Sequence, residues 1–144
     1  MNGMILVVDD DESIRKLLTT FLDEEGYRVR TAADGAEALQ LTLSQMRPDL
    51  LLLDIGLPVV NGIEFVKLYR ARAEPPYAPI LIISARGDAE EIAAELDCDG
   101  FVNKPFSLET VSEAIAVAMA KNGMPPRERI YRNPEHVRSI MSTE

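Results

Sequence analysis

Five side chains that could bind a metal ion or a phosphoryl group follow or end short apolar runs of the sequence. Asp9 and Asp10 follow the first run, Asp54 follows another, and Ser84 and Lys104 stand at the ends of two later runs. If these runs are parallel strands, their ends meet at the carboxyl edge of one sheet, where open α/β sheets bind ligands. The sequence therefore predicts an acidic site that also contains a hydroxyl and a lysine.

The three acids indicate which chemistry such a site would support. Carboxylates gathered at one sheet edge repel one another, and a hard divalent cation with oxygen ligands removes that conflict. Mg²⁺ is suited to this site because it keeps water positions that a phosphoryl oxygen can replace. A lysine charge and a hydroxyl donor would bind the phosphoryl group, and an attacking carboxylate would become an acyl phosphate.

The elements that must position these residues alternate along the chain. Residues 5–8, 50–53 and 80–83 are Ile, Leu and Val runs typical of strands buried on both faces, whereas residues 28–32 and 101–103 are weaker strand candidates. A shorter helix is predicted over residues 88–96. Apolar residues with helical spacing lie in the other intervals: Ile14, Leu17, Leu18, Phe21 and Leu22; Leu39, Leu43 and Met46; Ile63, Val66 and Tyr69; Leu108, Val111, Ile115 and Met119. Five βα units in series predict an α/β domain with a parallel sheet and helices on both faces.

A change in composition marks the end of this domain. The sequence NGMPP at residues 122–126 is a linker signal, and the residues after it are too few to form a core of their own. We therefore assign residues 1–121 to one domain. Residues 122–144 are predicted to be a linker and a short tail, in which residues 134–141 could form one helix that starts at Pro134.

Charge and composition exclude several classes of function. Residues 1–120 carry 21 acidic and 10 basic side chains, so the domain repels a phosphate backbone and direct nucleic-acid binding is not expected. Cys98 is the only cysteine and His136 the only histidine, which excludes an intrachain disulfide and argues against a histidine-ligated metal. No apolar run approaches the roughly 20 residues of a membrane span. A cytoplasmic protein with no membrane partner is predicted.

Four segments resemble, in order, the receiver domain family of two-component response regulators. They are ILVVDDDE at residues 5–12, LLLDIGLP at 51–58 with NG at 61–62, IISAR at 82–86, and FVNKPF at 101–106. The resemblance covers about residues 4–120 and implies a flavodoxin-like, doubly wound (βα)5 fold with a five-stranded parallel sheet in the order 2-1-3-4-5. It also implies a signalling switch that catalyses only its own phosphorylation and dephosphorylation.

The resemblance implies a role for each acid. Asp54 would be the phosphoacceptor, and the phosphoryl donor would be a histidine kinase or a histidine phosphotransfer protein. Asp9, Asp10, Asp54 and the backbone carbonyl of Gly56 would bind Mg²⁺. A larger side chain than glycine is usual at the position of Gly56, so water is predicted to reach the acyl phosphate differently in this chain and to alter its lifetime.

The resemblance also implies the residues of the switch. Lys104 would pair with the phosphoryl group, the Ser84 hydroxyl would move to bond it, and Phe101 would be the aromatic residue that turns inward. The Lys104–Pro105 bond is a candidate cis peptide. The interval from Ser84 to Phe101 is shorter than is usual in the family, which predicts a trimmed fourth helix. That helix usually carries the output surface, so the trimming puts the partner surface in doubt. Output is expected to occur by contact with an unknown downstream protein.

Each residue of the site also has a structural alternative. The acids at residues 9–11 could simply favour a helix N-terminus, which is the better interpretation for Asp11. Asp54 could cap the turn that follows it, Lys104 could be a surface lysine, and Phe101 could be a core aromatic. The alternative functions are a receiver-like interaction module that never carries phosphate and a Mg²⁺-dependent phosphatase, although no insertion could supply the lid that such an enzyme needs.

Overall fold

Strands and helices alternate along the chain as the sequence predicts. The computed structural model describes residues 3–44 and 46–122, with the backbone alone at the last two. The strands form one parallel five-stranded sheet in the order β2-β1-β3-β4-β5, which confirms the predicted doubly wound α/β fold. In chain order the elements are β1 (Met4–Val8), α1 (Glu12–Glu24), β2 (Arg28–Ala32), α2 (Gly35–Thr42), β3 (Leu50–Asp54), α3 (Gly62–Arg72), β4 (Ile80–Ser84), α4 (Ala89–Glu95), β5 (Gly100–Asn103) and α5 (Leu108–Asn122).

The first of two compact units, Met1–Ala78, contains β1 to β3 and α1 to α3. Strand β1 pairs in parallel with β2 and β3, so that Ile5 lies opposite Val29 on one side and Leu50 on the other. Every residue of β3 is buried, and so is β1 from Ile5 onward. Because a parallel strand covered on both faces is apolar along nearly its whole length, both runs were strong strand signals in the sequence.

Strand β2 is the weaker signal because it lies at the end of the strand order. Its burial alternates, with Arg28 and Arg30 exposed and Ala32 buried. Charged side chains of this kind are common on edge strands, where they discourage pairing with another chain. The lower hydrophobicity of residues 28–32 therefore reflects the position of the strand.

Helix α1 begins at a side-chain cap. The carboxylate of Asp11 accepts hydrogen bonds from the backbone N–H groups of Ser13 and Ile14 at 2.8 and 3.3 Å, as an N-cap acid does. Asp11 is thus a helix cap, as its structural alternative predicted. The predicted apolar stripe is only partly covered: Leu18 and Leu22 are fully buried, whereas Leu17 is 48% exposed.

Helix α2 ends earlier than the apolar spacing predicts. The spacing continues through Leu43 to Met46, but the helix ends at Thr42. The Thr42 hydroxyl donates to the carbonyls of Ala38 and Leu39 at 2.9 and 3.2 Å. Hydroxyl bonds of this kind slightly destabilise a helix, and Leu43, beyond the end of α2, is 41% exposed.

The second unit, Pro79–Glu144, contains β4, β5, α4 and α5. Strands β4 and β5 pair in parallel, with Ser84 opposite Asn103. Helix α4 has 7 residues and is the shortest helix in the described part of the chain. Its trimming relative to the family stays a prediction. Ser107 caps α5 by accepting a hydrogen bond from the N–H of Thr110 at 3.1 Å.

The predicted tail helix at residues 134–141 lies outside the described residues. Among the helices that the structure describes, none is long and apolar enough to span a bilayer.

Candidate functional site

The three predicted acids lie together at the carboxyl ends of β1 and β3. Each of Asp9, Asp10 and Asp54 offers a carboxylate oxygen, and these oxygens lie within 4.8 Å of one another. We call these three residues the acid cluster. Asp9 and Asp54 are buried, with exposed fractions of 1% and 7%, whereas Asp10 faces solvent. The sequence prediction that these residues converge is therefore confirmed.

The backbone around Asp9 fixes its carboxylate at the end of the strand. Its N–H donates to the carbonyl of Ala32 at 3.1 Å, which continues the β1–β2 ladder by one residue. Its Oδ1 accepts from the N–H of Asp11 at 2.9 Å. The guanidinium of Arg15 donates through Nη1 to the backbone carbonyl of Asp9 at 2.7 Å. Arg15, which the sequence interpretation missed, thus brings a positive charge to the edge of the acid cluster.

Asp54 is the last residue of β3, and its side chain also reaches the loop that follows. Its Oδ1 accepts from the N–H of Gly56 at 3.3 Å, so the turn-capping alternative describes part of its role. Gly56 is exposed, and a Cβ built there would meet no atom of the described residues within 4 Å. The loop therefore leaves open space beside the phosphoacceptor candidate. The metal-binding role of the Gly56 carbonyl stays a prediction.

Several further residues shape the β3–α3 loop. Gly62 passes so close to the strand end that a Cβ there would lie 2.7 Å from the carbonyl oxygen of Asp54. Asn61 and Glu64 form a reciprocal capping box that starts α3 at Gly62. Val59 has a φ of 67° and is 79% exposed, an unfavourable backbone conformation for a β-branched residue. No sequence signal indicated this strain.

The predicted hydroxyl lies at the end of β4, in the second unit. Ser84 is buried, and its Oγ donates to Oδ1 of Asp88 at 2.7 Å while accepting from the N–H of Arg86 at 3.1 Å. Arg86 Nη2 forms an ion pair with Oδ2 of Asp88 at 3.0 Å. Asp88 was predicted only as the start of the fourth helix. No spacing rule connects a strand-end serine to an acid four residues later, so no signal in the sequence indicated this contact.

Lys104 and Phe101 complete the residues predicted for the second unit. The N–H of Lys104 donates to the carbonyl of Ser84 at 2.9 Å, so the backbone joins the two strand-end residues directly. The lysine is partly exposed, and its bond to Pro105 is cis, as predicted. Phe101 lies opposite Ile82 in the β4–β5 ladder and is buried. Burial of Phe101 agrees with the core-aromatic alternative, and its role as the switch aromatic stays a prediction.

The acid cluster fits a hard divalent cation. Its donor set consists entirely of carboxylate oxygens, two of them from buried side chains, and Mg²⁺ binds one or two carboxylates while keeping water ligands. The exposed position of Asp10 leaves the cluster open to solvent on that side. Asp9, Asp10 and Asp54 are thus the residues that could hold Mg²⁺.

Comparison with known proteins identifies relatives across most of the chain. A family model for the response regulator receiver domain matches residues 5–116. The alkaline phosphatase synthesis transcriptional regulatory protein PhoP of Bacillus subtilis is 36% identical over 137 residues, which are 94% of this chain and 56% of that protein. The response regulator MprA of Mycobacterium tuberculosis is 41% identical over 111 residues, 76% of this chain and 47% of that protein. This chain therefore spans about half the length of these curated relatives.

Solved structures give the same result. The chemotaxis response regulator CheY4 of Vibrio cholerae superposes with a TM-score of 0.73 at 34% identity, covering 81% of this chain and 98% of that one. The response regulator TrrA of Thermotoga maritima, solved in complex with Mg²⁺ and BeF, superposes with a TM-score of 0.71 at 34% identity, covering 80% and 97%. Both similarities agree with the sheet order described above.

Proposed function

The chain belongs to the response regulator receiver domain family, and from that premise we propose that it is a switch that accepts a phosphoryl group on Asp54 with Mg²⁺ bound beside it. The family consists of phosphorylation-dependent signalling proteins. One observation carries the proposal for this chain: three carboxylates whose oxygens lie within 4.8 Å of one another, two of them buried. Such a cluster suits a phosphoryl-transfer site that requires a cation.

In the proposed transfer, an oxygen of the Asp54 carboxylate attacks the phosphorus of a phosphohistidine on a histidine kinase or phosphotransfer protein. The new O–P bond forms as the P–N bond breaks, and the bonding electrons leave with the imidazole nitrogen. Asp9 and Asp10 hold the metal ion, which neutralises charge on the phosphoryl oxygens when it is bound.

Ser84, Lys104 and Phe101 are proposed to read the phosphorylated state. Lys104 pairs with the phosphoryl charge, and the Ser84 hydroxyl moves to donate to a phosphoryl oxygen. Support for a joint role comes from the hydrogen bond between the backbones of Ser84 and Lys104. Phe101 repacks with this movement and alters the surface that a downstream protein contacts. Added charge that biases a two-state element is a general mode of phosphorylation switching.

The proposed setting is cytoplasmic, and the proposed partners are a histidine kinase or phosphotransfer protein and a downstream protein. One of the relatives is named a DNA-binding response regulator, MtrA of Mycolicibacterium smegmatis, and this chain spans 56% of its length. The acidic balance of residues 1–120 supports output by protein contact from this domain rather than direct nucleic-acid binding.

Phosphorylation can be tested by intact-protein mass after incubation with Mg²⁺ and a small acyl-phosphate donor. We expect the mass to rise by one phosphoryl group, and we expect this gain to require Mg²⁺ and to be lost in Asp54→Asn. Glu113→Gln is the matched control, because it removes an exposed carboxylate charge from the middle of α5. Absence of any gain in a folded wild-type protein would favour the phosphate-independent interaction module, and multiple turnover of a small phosphate ester would favour the phosphatase.

A further inference from the structure

Ser84 already has a hydrogen-bond acceptor before any phosphoryl group is present. We propose that Asp88 is a positioning residue that holds the Ser84 hydroxyl in the unphosphorylated state and competes with the phosphoryl group for it. This inference rests on the proposed function of Asp54 and adds a residue that opposes activation. It concerns residues 84–88 of the second unit, for which the sequence predicted only the hydroxyl of Ser84 and the start of a helix at Asp88.

The geometry of the hydroxyl carries the argument. Ser84 Oγ lies 2.7 Å from Oδ1 of Asp88 and accepts from the N–H of Arg86 at 3.1 Å. A serine hydroxyl has one proton to donate, and the Arg86 N–H occupies an acceptor position, so the proton points to the carboxylate. The same proton cannot be given to a phosphoryl oxygen until the bond to Asp88 breaks. Activation therefore includes the loss of this bond.

Asp88 is held in place by its second oxygen and by the backbone. Its Oδ2 lies 3.0 Å from Nη2 of Arg86, so the carboxylate bridges the serine hydroxyl and a guanidinium. Gly87 has a φ of 78°, a left-handed conformation that favours glycine and lets the chain turn back within four residues. Ser84 is buried, whereas the Asp88 side chain is 31% exposed, so the bond is only partly screened by water.

The position of Asp88 shows that its carboxylate serves this contact rather than the helix. Asp88 is the N-cap residue of α4, but within the described part of the chain it makes no side-chain capping hydrogen bond. In contrast, Asp11 and Asp34 cap α1 and α2 through their side chains. An acid at an N-cap normally accepts from the first free N–H groups of its helix. Here both carboxylate oxygens point to Ser84 and Arg86 instead.

The strength of the contact sets the expected effect. A hydrogen bond to a carboxylate is stronger than one between neutral groups. Because Asp88 is partly exposed, the bond is weaker than a fully buried one. Its loss in Asp88→Ala should tighten binding of a phosphoryl analogue by about three- to tenfold. Asp88→Asn should have a smaller effect, because a carboxamide oxygen still accepts from the hydroxyl. The order of affinity is therefore expected to be Asp88→Ala, then Asp88→Asn, then wild type.

The test is a titration with beryllofluoride, a phosphoryl analogue, in the presence of Mg²⁺, followed by the fluorine NMR signal of the bound form. Glu91→Gln is the matched control, since it removes one exposed carboxylate from the first turn of α4. If the tighter binding of beryllofluoride arose only from the loss of a negative charge near the site, Glu91→Gln would show the same increase in affinity. Circular dichroism verifies that each variant is folded, and the isosteric Asp88→Asn provides a second reading if Asp88→Ala is unstable.

A double-mutant cycle isolates the proposed contact. In a Ser84→Ala background, Asp88→Ala should leave the affinity for beryllofluoride unchanged, because no hydroxyl remains for Asp88 to hold. The proposal is overturned if Asp88→Ala binds no more tightly than wild type, or if its effect persists without the Ser84 hydroxyl. In either case binding by the wild-type protein would leave the proposed function standing. Failure of the wild-type protein to bind the analogue would overturn both.

Discussion

Replacement of Asp54 by asparagine should stabilise the fold in the absence of divalent cations. The substitution keeps the shape of the side chain and the oxygen that accepts from the N–H of Gly56, and it removes one charge from the acid cluster. Asp9 and Asp54 are both buried, so this pair is the least screened by water. The Asp54→Asn protein therefore loses repulsion without losing packing.

The magnitude follows from the separation of the carboxylate oxygens. At 4.8 Å, the largest separation of these oxygens, and an effective dielectric constant of about 20, two unit charges repel each other by about 3.5 kcal/mol. The hydrogen bonds from the N–H groups of Asp11 to Asp9 and of Gly56 to Asp54 offset part of this repulsion. We expect a net gain of about 1 to 2 kcal/mol, or about 4 to 8 °C in Tm for a domain of this size.

The assay is thermal unfolding followed by circular dichroism, first in EDTA and then in Mg²⁺, with Glu113→Gln as a control for the loss of one exposed charge. Mg²⁺ at ten times its Kd should stabilise the wild-type protein by about 1.4 kcal/mol and Asp54→Asn by clearly less. An Asp54→Asn protein that is no more stable than Glu113→Gln in EDTA would refute the repulsion argument. Equal shifts with Mg²⁺ would refute Asp54 as a metal ligand.

Three further substitutions test the surroundings of the site and one titrating residue. Gly56→Asn should slow the loss of phosphate from Asp54 several-fold, measured as decay of the phosphorylated mass, because its side chain fills exposed open space; an unchanged rate would contradict this. Val59→Gly should raise the free energy of unfolding by about 1 kcal/mol in a denaturant titration, since the φ of 67° suits glycine. Burial of Tyr27 and, to a lesser extent, the charge of Glu25 raise the pKa of the Tyr27 hydroxyl above 10.0. The stability that this shift contributes is therefore present below pH 10 and is lost as the pH rises through the folded-state pKa. Tyr27→Phe should lessen the fall in Tm above pH 10.

The sheet could be predicted from the sequence because its physical cause is local in the chain. A strand buried on both faces is apolar along nearly its whole length. Strand β1 is apolar throughout, and β3 and β4 are apolar up to the polar residue that ends each of them. The ends of helices depend on contacts that spacing does not describe. Helix α2 ends at Thr42 while the apolar spacing continues, and Leu17 shares the helical spacing of Leu18 but remains exposed.

The acid cluster could be predicted because the ends of apolar strands are visible in the sequence and because carboxylates are known ligands of divalent cations. Asp9 and Asp54 need only follow their strands to meet. The conformation of Val59 could not be predicted, since β-branched residues rarely adopt a positive φ and nothing in the sequence marks the exception. Arg15 was missed because its guanidinium extends from α1 to the backbone carbonyl of Asp9. Helical spacing predicts which face of a helix is buried, but it does not predict contacts of this kind.

The contact between Ser84 and Asp88 shows why a switch is harder to predict than a site. A phosphorylation site needs certain residue types at certain strand ends, and those types are visible in the sequence. A switch also needs an alternative partner for the group that moves, and any nearby acceptor could serve. Asp88 was identifiable as a helix start from its position before α4, and only the structure reveals that its carboxylate turns away from that helix to Ser84. The hydrogen bond that is proposed to oppose activation is therefore made by a residue for which the sequence predicts a different role.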